Sequence, residues 1–201
     1  MAIATILIPF YYNHGVMTMS GRTAAVERKT RETDVSVKLD LDGSGEYDVK
    51  CQIPFLKHMT ETLSRYSSVD MTVKASGDDD HHIIEDAAIT LGSALKKAIG
   101  TQPIYRMSTK TVAMDDALVM VSIDLADRPY AEVECPDPLY AHFFRSLAMS
   151  SGMTMHTMIM RGFDNHHIIE ATFKALGLCL KDSLRIRNKE LSTKDTVRTK
   201  G

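Results

Sequence analysis

The chain of 201 residues, 44% apolar and 25% charged, has the composition of a globular protein long enough to bury one large core or two smaller ones, which argues against disorder. A formal net charge of −2 and a pI near 6.4 supply no field to gather nucleic acid or an anionic membrane, so any phosphate it binds is small and locally held. Cys51, Cys135 and Cys179 are widely separated and form no Cys-x-x-Cys pair, so neither a disulfide framework nor a thiolate zinc knot is indicated, and a reducing cytoplasm fits best.

The opening run from Ala2 to Tyr12 is apolar but short, without a basic start or a cleavage site, so residues 1–18 are expected as an N-terminal extension and not as a membrane span. From Met19-Ser20-Gly21-Arg22 onward the pattern becomes regular. Strands are expected over Thr23–Thr30 and Thr33–Leu41, followed by a turn at Gly43-Ser44-Gly45. Phe55, Leu56, Met59 and Leu63 give Ile53–Tyr66 the spacing of one helix face. A strand over Val69–Ala75 and a long helix over Ile83–Ile99 complete a first half-repeat, residues 19–100. Gly100-Thr101-Gln102-Pro103 marks the boundary to a second half-repeat, residues 101–186. There, strands are predicted over Ile104–Met114, Ala117–Leu125 and Tyr130–Glu134, a helix over Pro138–Ser150, a strand over Met153–Met160 and a helix over Ile168–Leu184. Beyond Arg185 the chain is polar without apolar periodicity, and residues 187–201 read as a tail.

The two halves share more than element order. Asp80-His81-His82-Ile83-Ile84-Glu85 recurs 85 residues on as Asn165-His166-His167-Ile168-Ile169-Glu170, five consecutive residues matching. Repeated units of strands and helices imply an α+β fold of two similar halves, each a small β-sheet with helices, the helices packed between the two sheets. Strand order does not follow from the pattern.

On a helix, positions i and i+4 share a face, so His81 with Glu85, and His166 with Glu170, can approach a common ion. Adjacent residues point about 100° apart, so His82 and His167 face elsewhere and each motif can serve two metals. Imidazole nitrogens and carboxylate oxygens without thiolates describe a site for a divalent ion of the Mn, Fe, Co, Ni or Zn series. One His-His pair at a helix start would read as surface histidines with Asp80 or Asn165 as N-cap; the same five residues at equivalent points of two repeats read as ligands. On the 85-residue offset His58 falls opposite Phe143, and His156 opposite Met71, so the halves are expected to contribute complementary ligands.

From Arg22 to Lys194 the chain resembles the imidazoleglycerol-phosphate dehydratase family. The runs that carry the likeness are Arg22-Thr23-Ala24 through Arg28 and Thr30 to Glu32-Thr33; Ile53-Pro54-Phe55-Leu56 with His58-Met59; His81-His82 through Glu85-Asp86; Met114-Asp115-Asp116-Ala117-Leu118; Asp124-Leu125 with Arg128-Pro129-Tyr130; His142-Phe143-Phe144; and Asn165-His166-His167 through Glu170-Ala171 with Phe173-Lys174-Ala175. The resemblance implies a ribosomal protein S5 domain 2-like fold, self-assembly into a 24-mer shell with metal sites between subunits, and two Mn2+ ions per active site. It implies the metal ligands His58, His81, His82, Glu85, His156, His166, His167 and Glu170. It further implies a hydro-lyase of histidine biosynthesis that dehydrates imidazoleglycerol phosphate to imidazoleacetol phosphate through an imidazolate bridging the two ions.

By the same resemblance Glu32 is the acid/base residue, and Arg106, Arg128, Lys174, Ser192 and Lys194 bind the substrate phosphate, the last two from a tail that contributes to the active site. Three features depart from the family pattern: a compressed loop Gly77-Asp78-Asp79-Asp80, Lys57 where an aspartate usually stands, and Cys51-Gln52 in place of Thr-Gly. The alternatives are a non-catalytic, metal-dependent assembly protein, which needs neither Glu32 nor the phosphate set, and a lyase acting on a related imidazole phosphate.

Overall fold

The structure, a computed structural model, describes residues 21–189. The expected extension over residues 1–18, and Ser192 and Lys194, lie outside them. Alternation sets the strands. In β2 (Thr33–Asp40) the side chains of Thr33, Val35, Val37 and Leu39 are buried and the intervening ones face outward; β6 (Ala117–Asp124) repeats this with Ala117, Val119, Val121 and Ile123. β1 (Thr23–Lys29) and β5 (Met107–Met114) are their antiparallel hairpin partners. The predicted strand from Ile104 is shorter than expected, because Ile104 instead forms an isolated bridge with Ile186.

The pattern gave no strand between Gly45 and Ile53, yet β3 (Tyr47–Cys51) lies there, parallel to β4 (Asp70–Gly77). Only Val49 of β3 is fully buried, too little for alternation to register. Parallel neighbours need a crossover, and α1 (Pro54–Ser67) supplies it. The second half repeats the unit with β7 (Tyr130–Val133), α3 (Pro138–Ser151) and β8 (Thr154–Arg161). The sheets therefore have the same order, β1-β2-β4-β3 and β5-β6-β8-β7.

Two long helices complete the halves, α2 (Asp80–Ile99) and α4 (Asn165–Ser183). α2 lies on β1 and β2 of its own half but packs against α3 of the other; α4 lies on β5 and β6 and packs against α1. The helices thus form a layer between the two sheets, as the repeat implied, with Phe143, Phe144 and Phe173 at its centre, their ring centroids 4.8–5.6 Å apart. Among the described residues no helix is long and apolar enough to cross a membrane.

Equivalent elements show that the internal offset is not uniform. Pro54 of α1 matches Pro138 of α3, and Asp70 of β4 matches Thr154 of β8, both 84 residues apart, whereas Asp80 of α2 and Asn165 of α4 are 85 apart. The extra residue is Met160, bulged out of β8 where Val119 pairs Ile159 but Leu118 pairs Arg161, so that Gly162-Phe163-Asp164 is already equivalent to Gly77-Asp78-Asp79. This corrects the pairing drawn from the single offset. His58 is equivalent to His142, not to Phe143, which is a core residue, and His156 is equivalent to Thr72, not to Met71.

Both helix crossings depend on a repeated glycine. A Cβ on Gly92 would come within 2.7 Å of the Leu147 carbonyl oxygen on α3; one on Gly177, the equivalent position of α4, would come within 2.7 Å of Tyr66 Cβ and 3.1 Å of the Ser67 amide on α1. Helix propensity alone favours alanine by about 1 kcal/mol. Overpacking against a neighbouring helix costs about 1–3 kcal/mol, and the atoms in the way belong largely to backbone that cannot rotate aside. Gly177→Ala and Gly92→Ala are therefore each expected to lower the thermal midpoint by several degrees in a circular dichroism melt; a raised midpoint would show that the helices are not in close contact there.

Candidate metal centre

Both His-His pairs sit in the first turn of a long helix. α2 is capped by Asp79, whose carboxylate accepts from the His81 amide at 2.8 Å, and α4 by Asp164, which accepts from the amides of His166 at 2.8 Å and His167 at 3.4 Å. This replaces the expectation that Asp80 and Asn165 are the caps. Each is instead the first helical residue, because the chain turns helical three residues earlier than the apolar periodicity suggests.

The helix crossing brings a histidine of each half to the carboxylate of the other. On α4, Glu170 faces His166 one turn before it, Nε2 to Oε2 3.2 Å, and His58 of α1, Nε2 to Oε2 3.6 Å. On α2, Glu85 faces His81, Nε2 to Oε2 3.8 Å, and His142 of α3, Nε2 to Oε1 3.2 Å. The ligand atoms of His81, Glu85 and His142 all lie within 4.8 Å of one another, close to the span that two metal–ligand bonds of about 2.1 Å cover. In the sequence His142 stands out only as part of the His142-Phe143-Phe144 run. Aligning the halves on Pro54 and Pro138 would have identified it as the counterpart of His58.

Glu170 is buried, and burial pushes its carboxyl up. The hydrogen bond and charge of Lys174, whose Nζ lies 2.9 Å from Oε1, together with His58 and His166, reverse that and hold it below the ordinary range. The carboxylate stays ionised and fit to bind a cation. Tyr47, Glu61, Tyr66 and Arg65 form the groove in front of His58, Glu170 and Lys174.

The second histidine of each pair points away from the first, the ring planes at 89° for His81 and His82 and 90° for His166 and His167. Each has its Nδ1 on an aspartate: His82 on Asp78 at 2.9 Å and His167 on Asp116 at 2.5 Å. Both imidazoles titrate above their ordinary value, chiefly through these hydrogen bonds. Asp116 is held well below the usual carboxylate range by His167 and by the amides of Phe163 and Asp164. A carboxylate on Nδ1 fixes the tautomer that leaves Nε2 as the ligand atom. The sequence reading missed both aspartates, although Asp78 lies one turn before His82, within the compressed loop.

Glu32 lies at the turn between β1 and β2, with its carboxylate exposed and 3.8 Å from His82 Nδ1. Its main chain is fixed from both sides, its amide donating to Thr30 Oγ1 and its carbonyl accepting from the Asp78 amide. Gly77 is required here, since a Cβ would come within 2.6 Å of the Glu32 carbonyl. Arg28 and Thr33 both bond Asp86 of α2 and tie the turn to the helix carrying His81, His82 and Glu85.

The remaining site residues lie elsewhere in the chain. His156 is on the outer face of β8, its ring 5.5 Å from Tyr130, in a shallow cleft with Ser122, Thr154 and Asp124. Asp124 binds Arg106 at 2.7 Å and has Arg128 at 3.7 Å, so these two arginines and His156 share one surface. One chain brings His58, His166, Glu170 and Lys174 together, and His81 and Glu85 together with Glu32 beside His82. It does not bring His156, Arg106 or Arg128 to either cluster.

The sequence profile of the imidazoleglycerol-phosphate dehydratase family matches residues 51–180. A protein of that name from Desulforamulus reducens is 42% identical over 180 residues, spanning 83% of this chain and 92% of its own length. Another from Saccharolobus islandicus is 44% identical over 191 residues, spanning 88% and 99%. Among solved structures, the Pyrococcus furiosus IGPD in a ligand complex superposes with a TM-score of 0.75 at 34% identity, covering 84% of this chain and 98% of its own. The Staphylococcus aureus imidazoleglycerol-phosphate dehydratase superposes with a TM-score of 0.74 at 26% identity, covering 82% and 99%.

If the clusters hold divalent ions, His81→Ala combined with His166→Ala should remove most of the metal that co-purifies with the protein, read by elemental analysis. An unchanged metal-to-protein ratio in a folded double variant would refute the assignment.

Proposed function

The chain belongs to the imidazoleglycerol-phosphate dehydratase family of hydro-lyases in histidine biosynthesis, and on that premise we propose that it performs this dehydration with two Mn2+ ions. The observation that carries the reading is the pair of crossed clusters at the starts of α2 and α4, where imidazoles of both halves meet a glutamate carboxylate. One ion is assigned to the His81 and Glu85 cluster and the other to His58, His166 and Glu170, with His82, His167 and His156 completing the ligands. His82 and His167 point out of their clusters, and His156 lies on the far face of a sheet. These ligands are therefore assigned to neighbouring copies in a 24-mer. Exposed Met158, Met160 and Phe163, the last 87% exposed, give the surface around His156 and α4 an apolar character that assembly would cover.

Bound there, the two ions would supply Lewis acidity that holds the substrate's imidazole ring as an imidazolate between them. The chain's own groups handle the rest. Glu32 is the acid/base residue: its protonated form gives a proton to the hydroxyl leaving the carbon beside the ring, which departs as water, and its carboxylate accepts the proton bound to the next carbon. The enol left behind tautomerises to the ketone. The tie from Arg28 and Thr33 to Asp86 keeps this carboxylate in register with α2. Arg106 and Arg128 bind the phosphate with donors that Asp124 leaves available, and Lys174, Ser192 and Lys194 complete the set.

Metal-stripped protein should form no imidazoleacetol phosphate from imidazoleglycerol phosphate, and added Mn2+ should restore turnover. Failure to turn over when fully loaded would sink the proposed reaction. Glu32→Gln should reduce kcat by roughly 10²–10⁴-fold while Mn2+ content and particle size by light scattering stay unchanged. Turnover within a few-fold of the unsubstituted protein would remove Glu32 from the acid/base role.

A further inference from the structure

The turn that carries Glu32 is joined to α2 by a chain of hydrogen bonds that runs in one direction. Arg28 Nε donates to Asp86 Oδ1 at 2.6 Å, and Thr33 Oγ1 donates to Asp86 Oδ2. A hydroxyl has a single proton, so Thr33, having given its own to Asp86, accepts from Thr30 Oγ1, 3.1 Å away. Thr30 Oγ1 in turn accepts from the amides of Glu32 at 3.1 Å and Thr33 at 2.9 Å. The chain thus leads from Asp86, buried on α2, through the buried Thr33 to the main chain of Glu32.

The duplicated half shows what this chain is not needed for. Its turn Met114-Asp115-Asp116-Ala117 is equivalent to Thr30-Arg31-Glu32-Thr33, since the hairpins share one register, Thr23 facing Asp40 as Met107 faces Asp124. There Arg28, Thr30, Thr33 and Asp86 are replaced by Val112, Met114, Ala117 and Ala171, apolar residues that belong to the core or pack against it. A hairpin can therefore lie on its long helix without the polar set, and buried charged groups do not in general stabilise more than apolar packing does. The turns differ in backbone too: Asp115 is left-handed at φ 48°, whereas no residue of Thr30–Thr33 has a positive φ. Asp116, the counterpart of Glu32, is fixed through its own carboxylate by His167 and by the amides of Phe163 and Asp164. The Glu32 carboxylate stands 3.8 Å from His82 Nδ1, beyond hydrogen-bond reach, so its place is set through its main chain.

We propose that Asp86 is a positioning residue for Glu32, acting through Thr33 and Thr30 to fix the turn and hence the place of the carboxylate beside His82. The polar set occurs in the half whose turn bears the acid/base residue and is missing from the half whose turn carboxylate is bound directly. This inference rests on the acid/base role of Glu32.

The test is steady-state dehydration of imidazoleglycerol phosphate by the Mn2+-loaded full-length protein. Thr33→Val cuts the chain and should lower kcat by roughly 10–100-fold, with KM and bound Mn2+ changed by no more than a few-fold. Thr33→Ser keeps the hydroxyl and should recover most of the loss. Arg28→Val, Thr33→Ala and Asp86→Ala combined, which write the residues of the second half into the first, should lose no more than Thr33→Val does, because one chain is broken in both. In metal-stripped Thr33→Val, hydrogen exchange over Thr30–Thr33, read by mass spectrometry, should quicken. Unchanged kcat in Thr33→Val and in the triple variant overturns the proposal, and so does loss of bound Mn2+ in step with kcat, which would mean that the chain supports α2 and not the turn. In a Glu32→Gln background Thr33→Val should cost nothing further; a second fall of similar size would show that the chain serves another group. Glu32→Gln alone separates the premise, since retained turnover there strikes the acid/base role itself. Should Thr33→Val not fold, as read by circular dichroism, Thr30→Val cuts the same chain at its exposed end and is read in the same way.

Discussion

The close crossing of α2 over α3 and of α4 over α1 is the constraint on which the site depends. Neither half can assemble a cluster alone, because each long helix carries a histidine and a carboxylate whose third member projects from the other half. Gly92 and Gly177 let the helices approach to a separation at which His142 reaches Glu85 and His58 reaches Glu170. The same crossing buries Phe143, Phe144 and Phe173 behind the two clusters. Core packing and site geometry are thus set by one contact, and an error there propagates to both.

Electrostatics decides how charged groups survive in this layer. A buried carboxylate would ordinarily rise towards neutrality, and Glu170 does not because Lys174 lies against it. The outward-facing histidines show the complementary arrangement, where Asp78 and Asp116 secure Nδ1 and leave Nε2 available. Lys174 shares α4 with Glu170, whereas Asp78 and Asp116 stand in loops outside the helices whose histidines they orient. Asp116 comes from the β5–β6 turn, 51 residues before His167 in sequence.

Much of this architecture is legible in the sequence, and the failures have identifiable causes. Duplicated helices and long alternating strands show because their periodicity runs over many residues; β3 does not, because its pairing comes from a parallel neighbour and only Val49 is buried. The His-His pairs stand out through their repetition. His142 is hidden by a single offset applied throughout, which the residue bulged out of β8 at Met160 makes wrong by one position over α3 and most of β8. Asp78 and Asp116 are invisible for a different reason: acidic residues in turns are common, and only the folded backbone shows which of them ends beside an imidazole. The separation of His156 from the clusters also depends on tertiary placement, since strand parity alone does not say which sheet face meets the helices.

One symmetry of the fold is broken in a way that gives the molecule a polarity. Arg22 and Arg106 occupy equivalent positions ahead of β1 and β5. Arg22 is almost fully buried, closed by Asp42 and by the Leu184 carbonyl at the end of α4. Arg106 keeps a partly open guanidinium beside Asp124, with Arg128 nearby. Backbone duplication alone would make a palindromic surface, indifferent to which end of an elongated ligand arrives first. By locking one copy of the arginine into the scaffold and leaving the other accessible, the chain acquires a head and a tail, and an anion with charge at one end encounters two chemically distinct poles.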